Sequence, residues 1–144
     1  MMKLLVLCTG NSCRSQMAEG FLRGYGKEFG LEIEVVSAGI KAHGVNPKAI
    51  QVMQECGINI SQHTSDLVTP YINSGVTHLF SVCNHAQESC PVFPEDIIRI
   101  HYSFPDPAKA IGSEKEILDS FRATRDEIDN FCRELLINLF DIPE

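Results

Sequence analysis

Leu4-Leu5-Val6-Leu7 is an unbroken apolar run that starts after Lys3 and stops at Cys8-Thr9-Gly10. A run this short, closed by turn-forming residues, predicts a strand over Lys3 to Leu7 that is buried on both faces. A helix is expected over about Ser15 to Tyr25. Glu32 to Ser37 carries Ile33, Val35 and Val36 and ends in Ala38-Gly39, which reads as a second strand. Asn46-Pro47 supplies a cap and a first-turn proline for a second helix, with Gly57 as its stop. A short helical stretch is expected after Thr64. HLFSVC (His78 to Cys83) and IIRIHY (Ile97 to Tyr102) read as two further strands. From Ser113 to Phe140, Ile117, Leu118, Phe121, Ile128, Phe131, Cys132, Leu135, Leu136 and Leu139 recur at helical spacing. Strands that alternate with helices predict a parallel sheet covered by helices on both faces. The expectation is one α/β domain over residues 1–144, with about four strands and no linker.

Composition narrows the partners. The 144 residues are 44% hydrophobic and 22% charged, enough for a core without staples. A formal net charge of -7 disfavours a polyanion, so nucleic acid is not expected as a partner. A small anion requires a locally positive site. The first apolar run is too short for a secretory leader and no later stretch approaches a membrane span, which points to the cytoplasm and no membrane partner. Thiols stay reduced there, so six cysteines suggest catalysis, metal binding or packing more than a disulfide framework.

The chemistry begins with CTGNSCRS, residues 8 to 15. Cys8 falls where the first strand meets its helix, at the carboxyl edge where parallel sheets bind ligands. Gly10 permits a tight path, and successive amides from Thr9 through Asn11, Ser12 and Cys13 to Ser15 can converge on one anion at a helix N-terminus. Arg14, six residues after Cys8, can return its planar fork to two oxygens of a tetrahedral oxyanion. The same field favours the thiolate of Cys8, and Ser15 is placed to hydrogen-bond its sulfur. With this loop the chain resembles the low-molecular-weight tyrosine phosphatase fold family, which carries a C-x5-R-S loop near the N-terminus. That family uses an Asp-Pro pair late in the chain as its general acid. Here FPDPAKA offers Asp106-Pro107, which alone would read as a turn but together with the loop reads as the acid that protonates a leaving oxygen.

CNHAQESC holds Cys83 and, seven residues on, Cys90. A helix between them would separate their Cα atoms by about 10 Å, beyond the roughly 7 Å that a disulfide tolerates. Pairing would then require the segment to open as a redox switch. Two structural thiols, or zinc on Cys83, His85 and Cys90, are the alternatives; the spacing fits no common zinc site. The whole pattern resembles the thioredoxin-coupled arsenate reductases, and the similarity includes SAGI, HGVNP, HTSDL and DPAKA. Phosphotyrosine phosphatases of this fold carry aromatic residues after the Asp-Pro pair, whereas Ala108-Lys109-Ala110 follows here.

The resemblance implies that Cys8 attacks arsenate, Cys83 attacks Cys8 and Cys90 attacks Cys83, leaving a Cys83–Cys90 disulfide for thioredoxin. Phosphate and sulfate would compete for the loop, no organic cofactor is expected, and the chain is expected to be monomeric. It also implies a potassium ion behind the loop, with Asn11, Glu19, Ser37, Thr64 and Asp66 as oxygen ligands or their neighbours and His63 beside them. A tryptophan often found before the acid is absent, with Tyr102 near its place. The enzymatic alternative is a tyrosine phosphatase, which has no use for Cys90; the non-enzymatic one is an oxyanion or redox sensor, which has no use for Asp106. Cys13 is the second loop thiol, Cys56 and Cys132 read as packing, and His43, His78 and His101 show no partner in the sequence.

Overall fold

The computed structural model describes residues 1–84, 90–94 and 96–143. Its strands are β1 (Met2–Cys8), β2 (Ile33–Gly39), β3 (His78–Ser81) and β4 (Ile98–His101), and its helices are α1 (Arg14–Glu28), α2 (Pro47–Gln54) and α3 (Glu114–Phe140). The sheet order is β2-β1-β3-β4 and every pairing is parallel, with Cys8 opposite Gly39 and Leu7 opposite Ser81. The chain leaves β1 toward β2 on one side and returns to β3 on the other. A crevice therefore opens at the carboxyl end of β1, where the strand order reverses. The expected parallel α/β sheet is the one observed.

Leu4, Leu5, Val6 and Leu7 are wholly buried because both faces of β1 are covered. On one face α1 and α3 pack together; α1 buries Met17, Ala18, Phe21 and Leu22, and α3 buries Phe121, Ile128, Cys132 and Leu136 at helical spacing. Phe131 of α3 stacks on Phe80 of β3 with ring centres 5.2 Å apart. The Lys3 ammonium lies over the Tyr71 ring and donates to the Ser74 carbonyl, which ties the stretch before β3 to the start of β1.

The ends of elements depart from expectation for local reasons. Helix α1 runs through Gly24 and Gly26 to Glu28, past the expected end at Tyr25. Its stop is Gly30, at φ +67, flanked by Leu31 N–H to Gly26 O and Gly30 N–H to Lys27 O bonds, the two links of a Schellman closure. Between Thr64 and β3 there is no α-helix among the described residues. The segment instead forms a bridge between Leu67 and Gly39 and a 3-10 turn at Thr69–Tyr71. The Asn46 cap is as expected, accepting from the Lys48 amide, and Ser113 with Glu116 adds a reciprocal capping box at the start of α3.

Candidate active site

The loop after β1 is shaped by what its carbonyls bind. Cys8 O accepts from Ile40 N–H (3.2 Å), Thr9 O from Lys41 N–H (2.8 Å), Gly10 O from His43 N–H (2.9 Å) and Ser12 O from Asn46 N–H (3.1 Å). Asn11 O accepts from Gln16 Nε2 (3.0 Å) and Ser65 Oγ (2.9 Å), and Cys13 O from the helical amide of Met17. A trans peptide points its N–H opposite its C=O. Tying the carbonyls outward therefore turns the amides toward the concave side, and Asn11 takes the bend at φ +48. The concave side is a 190 Å³ cavity lined by Cys8, Thr9, Gly10, Ser12, Cys13, Arg14, His43, Asp106 and Ala108. Its size suits a small tetrahedral oxyanion.

Behind the cavity runs a directed hydrogen-bond chain. The Asp66 amide donates to Asn11 Oδ1 at 2.8 Å, which fixes the orientation of the Asn11 amide group. Asn11 Nδ2 then donates to Ser15 Oγ (2.8 Å) and to Ser37 Oγ (2.9 Å). Ser37 Oγ donates onward to Glu19 Oε1 at 2.6 Å, and Ser15 Oγ shares a 3.1 Å hydrogen bond with Cys8 Sγ in which either atom can be the donor. Were Cys8 a thiolate, the Ser15 hydroxyl would be the donor to its sulfur. Cys13 is a contrast within the same loop. Burial pushes its thiol up to about 12, with Asp106 and Cys8 adding to the rise against Ser12 and Arg14, so it stays protonated at neutral pH.

Arg14 enters from the first turn of α1. Its Nη1 donates to Phe104 O at 3.1 Å and its Nη2 lies 3.6 Å from Asp106 Oδ2. Asp106 caps the 3-10 turn Pro107–Lys109 by accepting from Ala108 N–H at 3.0 Å. One carboxylate oxygen is therefore held by the turn, while the other faces the guanidinium at the rim of the cavity.

Cys83 lies two residues beyond the end of β3, buried, with its Sγ 3.3 Å from the Thr9 hydroxyl. Thr9 thereby joins the second thiol to the loop of the first. Cys90 is elsewhere. It is half-buried and lines a separate 150 Å³ cavity on the sheet with Leu7, Leu79, Ser81, Arg99, Ile100 and His101. Burial raises its thiol, partly offset by Arg99. Residues 85–89, which hold most of the segment weighed as a helix between Cys83 and Cys90 and His85 of the zinc alternative, lie outside the described residues.

The oxygen set proposed for potassium is partly gathered. Glu19, Ser37, Thr64 and Asp66 line a 140 Å³ cavity behind the loop with Arg23, Val36, Gln62, His63 and Tyr71, and Asn11 touches it through Ser37. No group of three or more His, Cys, Asp and Glu side chains suited to a metal occurs among the described residues.

Sequence reasoning missed His43, whose ring covers Gly10 and forms one wall of the anion cavity. It missed Gln16 and Ser65, which hold the Asn11 carbonyl. The partners of His101 also appear only in three dimensions: Ser81 Oγ at 2.7 Å and Asn84 Oδ1 at 2.9 Å. His78 meets the Thr77 hydroxyl. Nothing in the local spacing signals these contacts, because each joins separate elements or depends on the backbone path.

The model of the low molecular weight phosphotyrosine protein phosphatase family matches residues 3–141. The chain belongs to that family. Among its relatives, the arsenate reductase of Bacillus licheniformis is 49% identical over 122 residues, covering 85% of this chain and 86% of the relative. The arsenate reductase of Bacillus subtilis is 47% identical over 128 residues, covering 89% and 90%. A solved arsenate reductase in its phosphate-binding state superposes with a TM-score of 0.76 at 30% identity, over 96% of this chain and 98% of that one. The low molecular weight protein tyrosine phosphatase from T. tengcongensis gives a TM-score of 0.81 at 25% identity, over 96% and 99%. No helix among the described residues is long and apolar enough to cross a membrane.

Proposed function

We propose that this chain reduces arsenate to arsenite through Cys8, Cys83 and Cys90, with thioredoxin as the final electron donor. The observation that carries the reading is the second thiol. Cys83 is buried beside the anion loop, in contact with Thr9, a position that phosphate-ester hydrolysis does not use. The relatives named arsenate reductase support the same reaction.

Loop amides and Arg14 bind arsenate in the cavity. The Cys8 thiolate, supported by Ser15, attacks arsenic, and Asp106 gives its proton to the departing oxygen, which leaves as water. Cys83 then attacks Cys8 Sγ; the sulfur–arsenic bond breaks with its electron pair retained by arsenic, so arsenite leaves and a Cys8–Cys83 disulfide remains. Cys90 thiolate attacks Cys83, releasing Cys8 as a thiolate and forming Cys83–Cys90. The thioredoxin dithiol takes over that disulfide and returns both thiols. No disulfide joins cysteines among the described residues, which suits the starting state and the reducing cytoplasm in which we place the protein.

The test supplies arsenate with thioredoxin, thioredoxin reductase and NADPH, and in parallel with a glutaredoxin system. Arsenate-dependent NADPH loss in the thioredoxin arm is the expected result. Hydrolysis of an aryl phosphate without any arsenate reduction would overturn the assignment in favour of a phosphatase.

A further inference from the structure

The cavity behind the loop holds two carboxylates, Glu19 and Asp66, and one guanidinium, Arg23. Glu19 is almost wholly buried, and a buried carboxylate must be paired or neutralised. Both of its oxygens are engaged: Oε1 accepts from Ser37 Oγ at 2.6 Å, while Oε2 lies 3.0 Å from Arg23 Nη2 and 3.6 Å from His63 Nε2. His63 turns its Nδ1 to Gln16 Oε1 at 3.0 Å. The Arg23 guanidinium is half exposed on its outer side but anchored within, donating to Val35 O through both Nε (3.2 Å) and Nη2 (2.8 Å). Other oxygens of the set are also committed: Asn11 Oδ1 to the Asp66 amide, Thr64 O to Gln16 Nε2, and Asp66 Oδ2 to the Thr64 hydroxyl. As arranged, these residues are a satisfied network and do not fit a bare oxygen cage for a potassium ion.

We infer that Arg23 is the resident cation of this cavity, paired with Glu19 in the place where a bound monovalent cation would otherwise be required. The consequence reaches the loop. Glu19 orders Ser37, Ser37 orders Asn11, and Asn11 orders both Ser15 and the bend that turns the amides inward. A protein with its own cation there needs no potassium to keep the anion cavity formed. Removal of the guanidinium should create that need.

The experiment measures thermal melting and inorganic phosphate affinity in KCl and in choline chloride at equal ionic strength. Both readouts are independent of whether the chain turns over arsenate. The wild type should show the same melting temperature and phosphate Kd in both salts. Arg23→Gln should melt lower and bind phosphate about tenfold more weakly in choline, and KCl should restore both by binding the folded state. Arg23→Lys should behave as wild type. The double variant Glu19→Gln, Arg23→Gln, which has no carboxylate charge to offset, should respond equally to the two salts and serves as the readout if Arg23→Gln folds poorly. A wild type that responds to potassium would overturn the inference. So would an Arg23→Gln protein that matches wild type in choline, or one impaired equally in both salts.

Discussion

Ser15 Oγ accepts from Asn11 Nδ2 and lies 3.1 Å from Cys8 Sγ, which places its hydroxyl to donate to a Cys8 thiolate in the proposed chemistry. Ser15→Ala removes the donor from the Cys8 sulfur and leaves the loop amides in place. A hydrogen bond to a charged group is worth about 1.5–3 kcal/mol, so the attack of Cys8 should slow by roughly 10- to 150-fold. Phosphate affinity should change little. Stopped-flow measurement of the first arsenate turnover, beside phosphate titration, separates the two effects; a large loss of affinity with an unchanged rate would assign Ser15 to loop structure. Cys13 gives a second prediction at this scale. With its thiol pushed up to about 12 by burial, it is protonated through neutral pH and ionises only in strong alkali. In a Cys8→Ser protein, iodoacetamide at pH 7 should leave Cys13 unmodified by mass spectrometry. Rapid alkylation there would contradict the burial argument.

The loop keeps its shape because β2 continues past the sheet as a second strand of contacts, residues 40 to 46, that takes its carbonyls in turn. Gly39 is where this becomes possible. A Cβ there would lie 2.7 Å from Asn11 N and 2.9 Å from Thr9 O, and backbone atoms cannot move aside as a flexible side chain can. Gly39→Ala should therefore abolish phosphate binding in a protein that retains its far-ultraviolet circular dichroism. Unchanged phosphate binding would show that the loop does not depend on this close approach. A different contact ties α2 to α3. Arg122 of α3 and, less strongly, Arg125 hold the Glu55 carboxylate, at the end of α2, at about 2 against an ordinary 4.5. A carboxyl group lowered on folding adds stability that is complete above 4.5 and is lost as pH falls toward 2. Urea midpoints should fall over that window in the wild type, and Glu55→Gln should flatten this part of the profile. An identical profile in the variant would remove Glu55 from acid stability.

At the scale of the molecule, the parts of the site that read from sequence are those with a fixed chemical spacing on one loop. Cys8 and Arg14 are six residues apart on one turn, the spacing that the proposed nucleophile and fork need to share an anion. Asp106 and Cys83 were placed at the same sheet edge because parallel strands all end there; Asp106 lines the cavity of Cys8 and Arg14, and Cys83 lies against Thr9 of the same loop. The end of α1 was not legible, because Gly24 and Gly26 resemble stops until α1 is seen to continue to Gly30. Arg23, His43 and Gln16 were not legible either. Each acts on a residue from another part of the backbone path, and an arginine on a helix face looks the same in sequence whether it meets water or a buried carboxylate.

The central claim is that three thiols pass one disulfide along, and Cys90→Ser tests it most directly. Cys90 lines a cavity apart from the anion site, so its loss should leave arsenate binding and the attacks by Cys8 and Cys83 intact. Arsenate added to the reduced variant should release one arsenite per protein and then stop. Mass spectrometry after thiol blocking should find Cys8 joined to Cys83, whereas the wild type should show Cys83 joined to Cys90. Steady multiple turnover of Cys90→Ser with thioredoxin would contradict the relay.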